Sequence, residues 1–549
     1  INARLNAVEE LTQRMETRLE LQALLKQVRD LERLLGRMTA QAANAREAVA
    51  LGRSMAQLPA LRRALADCQP PLLTQLHAQC DPLEDVAAWI GEALVDEPPA
   101  TLNEAGLFRE GHDEELDRLR ELVRGGRDWI ATLQRDESAR TGIPNLKVGY
   151  NKVFGYYLEV TKAHRDKVPE DYERKQTLVN AERYITPGLK EREDEILHAE
   201  ERLQRLEYDH FVALRQRVAA EAQRIQQSAG AVATADVLLS LAEVAVAKNY
   251  CKPRLEADTE IRIRDGRHPV VEDLMPRGDF VPNDTTLDPA AHLVIVTGPN
   301  MAGKSTYLRQ VALITLMAQL GSFVPAAEAH IGVVDRIFTR VGAADNLVRG
   351  ESTFMVEMIE TANILNAATP RSLIVLDEIG RGTSTYDGIS IAWAVAEHLH
   401  DTLHAKTLFA THYHELTELG NKLERARNIC VAVREWGDRV VFLYRVVDGG
   451  ADHSYGIQVA KLAGLPQPVT KRARTILEAL ESGDTAALGL PQQLHLFAPR
   501  DPAPPGKGKA DAAHAPLAEA LREIDPDTLT PREALDALYR LKGLAGDDA

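Results

Sequence analysis

The sequence predicts a multidomain chain, α-helical in its first part and α/β in its second. Three observations predict it. From Asn2 to Leu65 and again from Asp113 to Arg140 apolar residues recur at helical spacing. From Leu189 to Ala229 neither Gly nor Pro interrupts the chain. After Arg254 short apolar runs end in glycine or acidic residues and alternate with helical stretches.

At 549 residues, 45% hydrophobic and 27% charged, the chain has an ordinary globular composition and room for about three to four domains. No run approaches the roughly 18 consecutive apolar residues of a membrane span, and residues 1–20 are too charged for a signal peptide, so a cytoplasmic protein is expected. Cys68, Cys80, Cys251 and Cys430 are scattered, with no C-x-x-C pair, so neither a disulfide framework nor a structural zinc is expected. A net charge of -16 excludes indiscriminate nucleic-acid binding by the whole surface and leaves any such contact to local basic regions. The chain opens at Ile1 without a methionine and is read as a fragment.

In order along the chain, Leu11, Met15 and Leu19 keep a four-residue beat, and Leu21, Leu24, Leu25, Val28, Leu31 and Leu35 continue an apolar stripe. More helix follows from Pro70 to His112, broken near Pro98-Pro99 and Gly106. A helix from about Asp113 to Arg140 turns Leu116, Leu119, Val123, Ile130 and Leu133 to one side and ends at Gly142 and Pro144. Residues Leu146 to Val160 are rich in aromatic and β-branched types with turn glycines, which predicts a small sheet inserted between helices. After Pro187-Gly188 the uninterrupted stretch predicts one helix roughly 60 Å long. Its stripe is Ile196, Leu203, Leu206, Phe211, Leu214 and Val218, with Glu191 to Glu195 solvated. Together these predict a two-helix arm carrying a distal lobe. Residues 142–190 of that lobe hold nine Lys and Arg against six Asp and Glu, an excess suited to DNA phosphates, with Lys147, Lys152, Lys175 and Asn180 as candidate contacts.

Beyond Arg254, strand-like Ile261 to Arg264 turns at Asp265-Gly266. The apolar run Leu293 to Val296 then breaks into Thr297-Gly298-Pro299-Asn300-Met301-Ala302-Gly303-Lys304-Ser305-Thr306. Gly298, Gly303, Lys304 and Ser305 fit G-x-x-x-x-G-K-[ST]: glycines let backbone N–H groups close on phosphate oxygens, Lys304 reaches the β- and γ-phosphates, and Ser305 supplies a hydroxyl to Mg²⁺. The helix after it should run to Leu320 and stop at Gly321. A second apolar strand, Leu373 to Leu376, ends in Asp377-Glu378, an order in which the first acid serves Mg²⁺ and the second handles the attacking water. Thr407 to Thr411 leads to His412, placed to polarise a γ-phosphate. Ser352 precedes a helix carrying Met355, Met358 and Ile359; it either caps that helix or, since a helix start with small residues can also bind a phosphate, closes the cradle of a second protomer, and spacing alone does not separate the two. From Ser482 to about Pro516 the composition turns to Gly, Pro, Ala and Asp, a disordered linker. Thr530-Pro531-Arg532-Glu533 then starts a helix.

TGPNMAGKST, STFMVEM, DEIGRGTSTYDG and FATHYHEL, together with LKVGYNKVFGYYLEV in the lobe, resemble the bacterial MutS family of DNA mismatch-repair proteins. The resemblance implies a helical core (1–112, with a return helix at 229–256) and lever helices with a clamp lobe (113–228). It further implies an ABC-type ATPase domain (257–482), a linker (483–516) and a C-terminal helix-turn-helix module (517–549). It implies ATP and Mg²⁺ held by Gly298 to Thr306, with Ser305 and Asp377 on the metal, Glu378 as catalytic base, His412 as switch histidine and Ser352 acting in trans. Phe280 would stack on adenine, and Tyr444 stands where other members carry a stacking histidine. The peptide Gln493-Leu494-His495-Leu496-Phe497 resembles a sliding-clamp docking motif, with Gln493, Leu494, Leu496 and Phe497 as anchors. The implied partners are duplex DNA, a second copy in a homodimer or tetramer, a MutL-type repair protein and the replicative sliding clamp. The family's mismatch-recognition and connector domains have no counterpart here, so this fragment is expected not to discriminate mismatches. The competing expectations are a paralogous anti-recombination ATPase acting on recombination intermediates or stalled ribosomes, and a chromosome-tethering ABC ATPase.

Overall fold

The computed structural model describes residues 1–481 except 152, 154, 300, 342–352, 437–438 and 451–454, and also 532, 535 and 538. The chain falls into two units, Ile1–Val459 and Ala460–Ala549.

Helices α1 (Asn2–Gln13), α2 (Met15–Leu25), α3 (Leu31–Thr39), α4 (Ala45–Met55), α5 (Leu58–Leu65), α6 (Pro71–Gln79) and α7 (Glu84–Ala93) build the helical core. They enclose Leu5, Leu11, Leu34, Leu51, Met55, Leu73 and Ile90. Asn44 and Glu47 form a reciprocal capping box that starts α4. The four-residue beat expected through Met15 and Leu19 does not survive, since both side chains are exposed. The reason is a break at Arg14 (φ -97°, ψ 86°), after which Arg18 donates to the carbonyls of Leu11 and Thr12 that α1 leaves unpaired.

Helix α8 (Glu114–Thr141) starts where expected: Asp113 accepts from the amides of Glu115 and Leu116. It ends on Gly142 in the left-handed region, φ 68°. It runs antiparallel to α9 (Pro187–Ala220), with Arg120 on Glu207, Arg127 on Glu200 and Gly126 against Ile196. The single 60 Å helix is corrected. The helix breaks at Glu221 (φ -90°, ψ 14°), leaving α9 at 34 residues, about 51 Å, and the chain resumes as α10 (Ala222–Lys248). The break lets Ile225, Ala229, Val232, Ala235 and Leu239 turn into the core, and Arg224 fixes the corner by binding Asp81, Asp85 and Glu221. Apolar α10 passes a length and composition test for a membrane helix, but its inner face packs in this core.

The lobe between α8 and α9 is an antiparallel sheet of β1 (Lys147–Asn151), β2 (Gly155–Thr161), β3 (Glu173–Thr177) and β4 (Ala181–Ile185) in the order β1-β2-β4-β3. It has its own core of Leu133, Ile143, Leu146, Leu158, Val160, Tyr172, Tyr184 and Leu189. Glu193, expected to be solvated, is 1% exposed. It accepts from the Tyr156 amide at 2.9 Å and pairs with Lys190, tying β2 to the arm, and Gly155 (φ 85°) is the residue that leaves room for it.

The α/β part opens with β5 (Arg254–Glu256), β6 (Ile261–Gly266), the short helix α11 (Pro269–Leu274) and β7 (Asn283–Leu287). With β9 (Glu328–Gly332) these strands form a four-stranded sheet in the order β5-β9-β6-β7. The main sheet has six strands: β8 (Leu293–Thr297), β10 (Ile337–Val341), β11 (Leu373–Asp377), β12 (Lys406–Ala410), β13 (Ala426–Trp436) and β14 (Arg439–Asp448). Their order is β10-β11-β12-β8-β13-β14, parallel throughout except for β14. Strands β8 and β12 are buried at every position, the mark of a parallel sheet covered on both faces. Helix α12 (Lys304–Leu320) follows β8 and ends on Gly321 at φ 88°, as expected. Helices α13 (Thr353–Ala367) and α14 (Thr385–His398) flank β11 in sequence, and α15 (Leu419–Lys422) leads to β13.

The linker and most of the C-terminal module, including Gln493, Leu494, Leu496 and Phe497, lie outside the described residues, as do Lys152, Asn300 and Ser352. Arg532, Leu535 and Leu538 are helical.

Candidate nucleotide site

Parallel strands bring their carboxyl ends to one edge, and a crevice there is where open α/β sheets bind ligands. The loop after β8, the acids after β11 and His412 after β12 all stand on that edge.

The loop after β8 turns through Gly298 (φ 127°), Met301 (φ 71°) and Gly303 (φ 101°). A Cβ on Gly298 would sit 3.2 Å from the backbone of Val431 on β13, so both its conformation and its neighbour favour glycine. The turn folds over Lys304, which is 4% exposed and donates to the carbonyls of Gly298 (2.5 Å) and Pro299 (3.2 Å). Burial pushes the Lys304 ammonium pKa down, against the pull of Glu378 and Asp377. Such a cation is poised for an anionic ligand. Ala302 is buried and Ser305 and Thr306 are half-buried at the start of α12, whose N-terminus offers a favourable dipole for phosphate.

Asp377 ends β11, and its Oδ1 is buried without a hydrogen-bond partner. A buried carboxylate oxygen left unpaired fits a divalent cation. Glu378 is held in the left-handed region at φ 62°, with its amide on Ala410 O. Burial raises its pKa, and Arg381, bound to its Oε2 at 2.5 Å, opposes the shift only in part. His412 is exposed on one side and its ring lies 4.1 Å from that of Tyr413. Its covered side, then the charges of Arg381, Lys304 and His414, push its pKa down to about 4, so the ring is neutral near pH 7.

Behind the loop lies a cavity of about 260 Å³ lined by Val271, Phe280, Met301, Gly303, Thr306 and Tyr444. Phe280 sits in a bend ahead of β7 rather than inside a strand, and Tyr444 reaches the cavity through a bulge between Val431 and Val433 of β13 and the facing β14. That bulge puts Tyr444 at φ 52° and lays its ring over Gly303. Asn283 holds the bulge from β7, donating to Tyr444 O and accepting from the Val446 amide. Sequence reasoning had no role for Asn283, because this clamp spans 161 residues. Arg381 was also missed, although its position three residues beyond Glu378 was a usable signal.

In the lobe, Lys147 lies on β1 and Lys175 on β3, the two opposite edges of the sheet. Lys175 is paired with Glu173, and Asn180 is exposed in the turn before β4.

Three family models match the chain: MutS family domain IV over residues 111–202, MutS domain V over 294–481, and the DNA mismatch repair protein MutS C-terminal region over 510–544. Among curated proteins, a DNA mismatch repair protein MutS from Myxococcus xanthus is 54% identical over 561 residues, covering 99% of this chain and 63% of that protein. Proteins of the same description from Ruminiclostridium cellulolyticum and Symbiobacterium thermophilum are each 52% identical, over 99% and 100% of this chain and 62% and 63% of their own lengths. The chain thus spans less than two thirds of the length of these relatives.

Proposed function

Because the chain belongs to the MutS family, we propose that it is the ATP-driven part of a DNA mismatch-repair sensor, in which ATP binding and hydrolysis move a clamp on duplex DNA. The observation that carries the reading is the buried Lys304 ammonium, wrapped by the Gly298 and Pro299 carbonyls and 4.0 Å from Glu378.

The residues divide the work. Lys304 and the amides at the start of α12 take the β- and γ-phosphates, and Phe280 and Tyr444 hold the base in the cavity behind the loop. Asp377 and Ser305 would hold Mg²⁺, which would supply positive charge to the phosphate oxygens. Glu378 takes the proton of the water whose oxygen attacks the γ-phosphorus, and ADP leaves as the bond to the bridging oxygen breaks. Neutral His412 orients water or a γ-oxygen by hydrogen bonding. The α/β part is of the ABC ATPase type, with Ser352 of each protomer completing the site of the other in a homodimer.

The α8–α9 arm carries the motion to the lobe, whose Lys147, Lys152, Lys175 and Asn180 contact the DNA backbone. The peptide Gln493 to Phe497 docks on the sliding clamp, the helix-turn-helix at the C-terminus joins dimers into tetramers, and a MutL-type protein reads the ATP-bound state. The test is ATP hydrolysis by the full chain with and without duplex DNA. Turnover that responds to duplex supports the reading, and a chain that binds no ATP overturns it.

A further inference from the structure

The turn that carries Glu378 enters the left-handed region at two of three successive residues, Glu378 at φ 62° and Gly380 at φ 94°; the glycine adopts it freely, and the strain falls on Glu378. Ile379 between them is 1% exposed in the core under β11 and β12. Such a turn persists only when its surroundings over-determine it. The surroundings are visible on both sides of one residue. The Gly380 amide donates to Glu357 Oε1 at 2.5 Å, and the Gly380 carbonyl accepts from the Tyr413 hydroxyl at 2.9 Å. Glu357 is 4% exposed and lies on α13, four residues in from Thr353. Its second oxygen faces Arg340 at 3.5 Å, and Arg340 in turn binds Glu360. Tyr413 is 7% exposed and adjoins His412. Gly380 also packs so closely on Gly388 that a Cβ would approach its carbonyl to 2.6 Å, so the turn cannot slide toward α14.

We infer that Glu357 and Tyr413 are positioning residues that hold the Gly380 backbone, one at its amide and one at its carbonyl, and thereby set the place of Glu378, with Glu357 tying that place to helix α13. The inference rests on the reading of Glu378 as the base. Its logic is geometric: among the described residues neither side chain hydrogen-bonds to the loop that binds phosphate, yet both grip the backbone two residues from the carboxylate that takes the proton. A misplacement of about 1 Å at such a group costs on the order of 100-fold in rate. Movement of the α13 N-terminus, where a phosphate-binding helix start is expected, is then transmitted to Glu378 through one buried carboxylate.

The test uses the full chain with Glu357→Ala, Glu357→Gln and Tyr413→Phe, and reads kcat and KM for ATP, the affinity for a fluorescent ATP analogue, and amide exchange of the segment containing Gly380. Tyr413→Phe should lower kcat about tenfold and Glu357→Ala about 100-fold, with KM and nucleotide affinity within about twofold of the parent. Glu357→Gln, which keeps an acceptor oxygen, should recover part of the Glu357→Ala loss. Exchange at Gly380 should quicken about tenfold or more in Glu357→Ala. Unchanged kcat in both Glu357→Ala and Tyr413→Phe overturns the inference, as does unchanged Gly380 exchange or a parallel loss of nucleotide affinity. A parent chain without turnover would instead overturn the proposed function, and Gly380 exchange would still decide whether Glu357 pins the turn.

Discussion

Lys304 Nζ, at the loop after β8, and Glu378 Oε1, in the turn after β11, face each other at 4.0 Å, and burial moves both groups away from their charged forms. Their attraction therefore does not repay the loss of water, as is common for buried pairs. The two substitutions should separate. Lys304→Ala should lose nucleotide affinity and turnover together. Glu378→Ala should keep ATP bound while kcat falls by roughly 100-fold or more. Equilibrium binding and single-turnover hydrolysis check this, and normal steady-state hydrolysis in either variant refutes the site assignment.

The raised pKa of Glu378 gives a pH profile with a defined sign. The base works only when ionised, so kcat/KM for ATP should fall on an acid limb whose midpoint lies above 4.5, the ordinary value for a glutamate. His412, with its pKa near 4, adds no step between pH 6 and 8. Stability should follow the same group. Its proton is bound more tightly in the fold than in the unfolded chain, so it favours the fold below pH 4.5 and that advantage is lost as pH rises through the folded value. Glu378→Gln should therefore raise the melting temperature more at pH 8 than at pH 4, measured by thermal scans of the two proteins.

Phe280 and Tyr444 line one cavity, so removing either ring should weaken ATP more than it slows chemistry. Phe280→Ala should raise KM for ATP about tenfold, the loss of a stacking contact of about 1 kcal/mol plus buried area, with kcat little changed. Tyr444→His should leave KM within about threefold, because the bulge that positions residue 444 is held through backbone atoms by Asn283. Initial-rate kinetics over ATP concentration decide both.

Much of this site could be read from residues alone because the signals were local. Glycines at 298 and 303, the apolar strands before them and before Asp377, and the caps at Asp113 and Gly142 act within a few positions, and each stands where expected. What could not be read was decided by distant neighbours. The break at Glu221 depends on core helices that offer α10 a better burial than a straight arm would. Glu193 looked solvated because its partner, the Tyr156 amide, lies 37 residues away. Likewise the grip of Glu357 on Gly380 joins a helix and a turn that share no sequence pattern.

The arm offers a paired test of packing against propensity. Gly125 and Gly126 are neighbours in α8, yet a Cβ on Gly125 meets nothing within 4 Å while one on Gly126 would stand 2.3 Å from Ile196 Cγ1 of α9. Gly125→Ala should stabilise by about 1 kcal/mol through helix propensity. Gly126→Ala gains the same propensity but forces α9 away, and overpacking of about 1–3 kcal/mol should leave it neutral to destabilised. The sign of the difference between the two melting temperatures is the measurement. If the arm transmits nucleotide state to the lobe, Gly126→Ala should also reduce stimulation of ATP hydrolysis by duplex DNA while basal turnover stays within about twofold, because the substituted residue lies in the arm and outside the nucleotide site. Equal stimulation in Gly126→Ala and Gly125→Ala would mean that the α8–α9 contact is structural only.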